Sequence, residues 1–196
     1  DGGVAVVANM GHYLFCGFKT LNLVDIHEDL VEKMRIAIRE GALLANDAYS
    51  PSHINPERRY HALITTGTHT FVGARDIMCD YHPLYALRDA IRQARRAHDP
   101  FIQSVIVVCE DAGGKPPHVM YKDRQHLIEL NLQAELLTGQ KNDPPVILAT
   151  YNDRRQVVWA WKTSVKEWIP FAFTPYNFGE EFLASLARYF RGLRQP

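Results

Sequence analysis

Short β-prone apolar runs alternate along this chain with longer stretches in which apolar residues recur at helical spacing. Val4–Val7 and His12–Phe18 are the first β-prone runs, with Asn9-Met10-Gly11 as a turn between them. Leu30, Val31, Met34, Ile38, Leu43 and Leu44 then fall on one helical stripe; Asp25 is a suitable N-cap, and Pro51 forces an end near Asn46–Ser50. After a polar segment, Tyr60–Thr65 and Thr70–Ala74 read as two strands of a hairpin turning at Gly67. A helix is predicted from Pro83, a first-turn proline, to Ala97, followed by a strand over Phe101–Cys109. The Val105–Val108 core of that strand is continuously apolar, the mark of burial on both faces. Gly113–Pro117 is a loop, and Tyr121–Leu137 is a helix closed by Gly139. Pro145–Thr150 and Gln156–Trp161 are two more strands, Val165–Trp168 is a helical turn stopped by Pro170, and a last helix covers Gly179–Arg191. Strands alternating with helices predict an α/β domain with helices on both faces of one sheet.

Composition narrows the partners more than the fold. The 196 residues suit one domain able to bury a real core. Lys+Arg and Asp+Glu each total 22, so no bulk charge selects nucleic acid or an anionic membrane. Arg92, Arg95 and Arg96 form a basic helix face that reads as solvated, with Asp89 as a partner for Arg92, and nucleic acid is not an expected partner. The apolar runs are strand-length, too short to cross a bilayer, and no secretory signal pattern is expected. Three scattered cysteines, Cys16, Cys79 and Cys109, do not make a disulfide framework and fit a reducing compartment, so a cytoplasmic location is expected.

Four segments resemble the cytidine deaminase family, in the family's order. Ala48-Tyr49-Ser50-Pro51-Ser52 is similar to its AYxPYS segment, and Tyr85-Ala86-Leu87-Arg88-Asp89-Ala90-Ile91 to the CAERxAI start of its first catalytic helix. Asp123-Arg124-Gln125-His126-Leu127-Ile128-Glu129-Leu130 resembles the CRQxLxEF start of the second, and Thr163–Pro175 the TVxELLPxAFxP tail. The resemblance implies a three-layer α/β/α cytidine-deaminase-like sandwich with a mixed sheet of about five strands. Residues 1–196 are then a single domain: a β extension over 1–25, a core over 27–178 and a C-terminal helix over 179–193. It also implies a homo-oligomer, dimer or tetramer.

The chemistry of that family does not carry over. A zinc deaminase needs three His or Cys ligands and a glutamate that shuttles protons. In the CAER register Tyr85 stands at the first ligand and Leu87 at the glutamate, while Met120 and Asp123 replace the paired cysteines. In an alternative register, His82-Pro83-Leu84, His82 remains a ligand but Leu84 takes the glutamate's place. Tyrosine and methionine are poor zinc ligands and leucine transfers no proton. The family's ribose-holding GxNxEN segment corresponds to Gly73–Met78, where Arg75 and Ile77 stand for the asparagine and glutamate; Arg75 offers instead a fork for a carboxylate or phosphate.

Two function classes remain open, the first being the expected one and the second its alternative. One is a repurposed, zinc-independent enzyme acting on a small polar molecule, with His82, Tyr85, His118 and Asp123 as catalytic candidates and Arg75, Cys79, Asp80, Tyr121 and His126 as ligand-binding candidates. The other is a non-catalytic pseudo-deaminase that binds a ligand or scaffolds a partner subunit. No cofactor and no metal is expected, although Cys79, His82, His118 and Asp123 would be the donors of an unusual metal site. Each candidate has a plainer role: Cys79 as a small buried hydrophobe, His82 as a surface turn residue, Asp123 as a helix cap or first-turn charge.

Overall fold

The computed structural model describes residues 19–22, 26–44, 59–75, 85–168 and 180–192. In chain order the elements are β1 (Lys19–Leu21), α1 (Glu28–Leu44), β2 (Tyr60–Thr66), β3 (Thr70–Ala74), α2 (Ala86–Arg96), β4 (Ile102–Glu110), α3 (Tyr121–Thr138), β5 (Pro145–Tyr151), β6 (Val157–Ser164) and α4 (Glu180–Gly192). The six strands form one sheet in the order β1-β6-β5-β4-β2-β3. Among the described strands only β4 and β5 run parallel, and the helix that connects them is α3. Strands β2–β6 are the expected five-stranded mixed core, and β1 adds an edge by pairing antiparallel with β6.

The alternation of side chains along each strand divides the core into two. On one face Leu63, Ile106, Val108, Ile147, Ala149 and Ala160 pack against Met34, Ala37 and Ile38 of α1. On the other, Ala62, Ile64, Val105, Val107, Val146 and Leu148 meet Leu87, Ala90 and Ile91 of α2 and Leu127 and Leu130 of α3. Val105–Val108 is fully enclosed, as its unbroken apolar run requires. α4 packs outside, against α3. Gly139 ends α3 in the left-handed region, φ 71°, with its N–H donating to the Glu135 carbonyl.

One local expectation needs correction. α2 starts at Ala86, not Pro83; Tyr85 before it is extended (φ −79°, ψ 145°), so no proline lies in its first turn. At the start of α1 the residue that meets the helix is His27, whose Nδ1 accepts the Asp29 N–H at 3.3 Å and whose carbonyl accepts from Leu30 and Val31. Strand β1 lies within the β extension expected over 1–25, just after the β-prone run that ends at Phe18. The Val4–Val7 and His12–Phe18 runs, the Asp25 cap, the 45–58 segment and residues 169–179 lie outside the described residues.

A buried polar pair sits under α1. His61 is 1% exposed, its Nε2 lies 3.2 Å from the Tyr151 hydroxyl, and Gly41 of α1 presses on its ring so closely that a Cβ there would lie 2.6 Å from Nδ1. Burial, helped by the charges of Arg59 and Arg155, lowers the His61 pKa to about 4. The unfolded chain takes up this proton near pH 6.5 and the folded chain only near 4, so the neutral ring contributes stability above pH 6.5 that is lost as pH falls toward 4. The loss amounts to roughly 3 kcal/mol. Urea midpoints across that range should fall in the parent and flatten in His61→Gln; parallel profiles would contradict this origin.

Candidate functional site

Helices α2 and α3 begin at the same end of the sheet, and the side chains of their first turns meet. With Tyr85 and Met120 as N-caps, Arg88 and Asp123 occupy the same third position of their helices. Arg88 Nε donates to Asp123 Oδ1 at 2.6 Å. The Asp123 side chain has no exposed surface, whereas a quarter of Arg88 (26%) remains exposed. The second carboxylate oxygen, Oδ2, is buried with no hydrogen-bond partner. Burial therefore raises the Asp123 pKa above the usual carboxylate range, with the Arg88 bond and charge and the charges of His126 and Lys122 opposing it. Asp123 suits the positive end of α3, while Arg88 opposes that of α2, so the ion pair offsets a charge the helix start would otherwise repel.

Around this pair, rings and guanidinium groups alternate. Arg75, just after β3, lies 5.4 Å from the Tyr60 ring centre and 5.9 Å from that of Tyr85, and Arg88 approaches the Tyr85 ring at 5.5 Å. A second stack holds Arg124 at 5.8 Å from both Tyr121 and Trp168, with Arg124 Nη1 donating to the Trp168 carbonyl at 3.3 Å. Trp168 is deeply buried, so this stack ties the end of the helical turn after β6 to the start of α3. Neither α2 nor α3 has a side-chain N-cap, which leaves the positive ends of both helices turned toward this region.

Of the residues expected from sequence, Arg75, Tyr85 and Asp123 fall within this cluster, and His126 is near enough for its charge to act on Asp123. Tyr121 belongs to the neighbouring stack and is 56% exposed. His118 stands exposed on the loop before α3, with no hydrogen bond to Asp123 among the described residues. Cys79, Asp80 and His82 lie outside the described residues. The residue the sequence reading passed over is Arg88. Its signal was present in the two aligned helix starts, a cation at the third position of one and an anion at the third position of the other.

Comparison with known proteins bears on the scaffold. No family model and no curated protein matches the chain. Among solved structures, the cytidine deaminase of Burkholderia pseudomallei aligns over 76% of this chain and 100% of its own, at 23% identity and a TM-score of 0.51. This chain has a cytidine-deaminase-like fold. The cytidine deaminase of Mycobacterium leprae also matches, over 74% of this chain and 99% of its own, at 13% identity and a TM-score of 0.44. No described helix is long and apolar enough to cross a membrane.

On a cytidine-deaminase-like fold the implied group at these helix starts is zinc, and the described residues do not fit it. Leu87 is buried in the core, Met120 is a poor zinc ligand, and the Asp123 carboxylate already holds the Arg88 guanidinium at 2.6 Å. Among the described residues no three His, Cys, Asp or Glu side chains gather as a metal-holding group.

Proposed function

We propose that this chain is a pseudo-deaminase, a zinc-independent protein that binds a small polar molecule at the paired starts of α2 and α3. The observation that carries this reading is the Arg88–Asp123 ion pair, which joins the two helices side chain to side chain. The surrounding guanidinium groups and uncapped helix ends favour a ligand bearing negative charge or a polarised carbonyl. The catalytic alternative has less support. Asp123 would have to exchange a proton with a substrate, yet its carboxylate is enclosed and bound to Arg88; His118, the other described acid–base candidate, is out on an exposed loop. A homo-oligomer in the cytoplasm belongs to the same reading, on the strength of the family resemblance and the scattered cysteines.

Melting with and without metal tests the reading. A tight structural zinc stabilises by about 4 kcal/mol at a thousandfold excess over its Kd, a shift of roughly 10 °C for a chain of this size. The expected result is the same Tm in a chelator and in added zinc chloride; a rise of that order with zinc would overturn the proposal.

A further inference from the structure

We infer that Arg88 is the anion anchor of this site: the Nη1–Nη2 edge of its guanidinium receives an oxyanion of the ligand, a carboxylate or a phosphate, while Asp123 positions the group by holding its Nε. The inference rests on the zinc-independent reading above and adds the ligand's chemistry.

Arg88 has its donors divided. Nε is committed to the enclosed Asp123 carboxylate at 2.6 Å, and among the described residues no hydrogen bond reaches Nη1 or Nη2. A guanidinium offers five N–H donors in a rigid plane, and the pair at its far end matches two oxygens of one oxyanion. Two contacts fix that plane: the carboxylate at one edge and the Tyr85 ring at 5.5 Å. A fork held in this way loses little freedom when an anion arrives, which is the condition for strong bidentate binding.

The surroundings of the fork suit an anion. Arg75 lies on the same Tyr85 ring as Arg88, at 5.9 and 5.5 Å from its centre. The positive ends of α2 and α3 lie at the same place. Other arginines at this end of the sheet are differently engaged. Arg124 is stacked between two rings and bonded to a carbonyl, and Arg59 lies against Glu110 at 3.7 Å.

The test is a calorimetric titration of the full chain with inorganic phosphate and with acetate, against chloride at matched ionic strength. Saturable one-to-one binding of either oxyanion is expected, and which of the two binds tells phosphate from carboxylate. Arg88→Lys keeps the charge and loses the fork, so affinity should fall about tenfold or more. Arg88→Met/Asp123→Leu removes the anchor together with its buried partner and should abolish saturation while melting stays cooperative. Asp123→Asn separates positioning from simple attraction: it makes the site more positive, so attraction alone would tighten phosphate, whereas loss of positioning weakens it. Absence of saturation in the parent, or parent-like binding by Arg88→Lys and the double variant, would overturn the inference. The zinc melt on the same samples keeps the two ideas apart. Phosphate failing while Tm ignores zinc removes the anchor alone; a zinc-dependent Tm removes the reading beneath it.

Discussion

Arg88→Met should destabilise the protein by about 3–5 kcal/mol at neutral pH, and adding Asp123→Leu should restore most or all of that loss. The single change strands a carboxylate that has no exposed surface and whose second oxygen already lacks a partner. Burial raises the Asp123 pKa even with Arg88 in place, so without the guanidinium the charged form is opposed further. The sign of the pH effect follows. An acid with a raised folded pKa costs stability as pH climbs through its unfolded value, so the defect should be full near neutrality and shrink below about pH 4, where the carboxyl is neutral in both states. Replacing both partners by apolar groups of similar volume leaves no buried charge and is often neutral or stabilising. Urea unfolding of the parent, both single variants and the double variant measures this as a coupling energy. Losses that simply add would mean that the pair does not hold the helix starts together.

Gly73→Ala should cost more than about 3 kcal/mol, at the upper end of what overpacking does. A Cβ on Gly73 would run into the Ala86 carbonyl oxygen and lie 2.6 Å from the Ala90 nitrogen and 3.1 Å from Asp89 Cβ. The first two are backbone atoms of α2, which a rotamer change cannot move, so the helix would have to lift from β3. That shift also carries Tyr85 and Arg88 away from Arg75 and Asp123, so the ring–guanidinium cluster should loosen with the fold. Gly192→Ala is the control: a Cβ there meets nothing within 4 Å, and stability should stay within about 0.5 kcal/mol. Parent-like unfolding of Gly73→Ala would show that β3 and α2 are not packed so tightly.

The scaffold was more legible in the sequence than the site was. Periodicity is a property of many residues at once, so the Met34/Ile38 stripe, the Val105–Val108 run and the Gly139 stop each marked an element that the fold contains. Single boundaries were less secure. Pro83 is a sound helix opener by local rules, but Tyr85 is extended and the helix runs only from Ala86. Lys19–Leu21 lies in the expected β extension, but that it pairs with β6 is a tertiary fact that local pattern does not carry. At the site, motif positions pointed to Tyr85 and Asp123, and both lie in the cluster. They could not show that Asp123 is enclosed and already paired, because Arg88 lies 35 residues away and meets it only when the two helices pack. The same limit hid the Arg75–Tyr60 contact between the end of β3 and the start of β2.

The central claim is that a side-chain ion pair, in place of zinc, joins the starts of α2 and α3. Elemental analysis of the full chain, purified without added metal and without chelator, tests it most directly. The account predicts zinc far below one atom per chain in protein that melts cooperatively; stoichiometric zinc that leaves only on unfolding would contradict it.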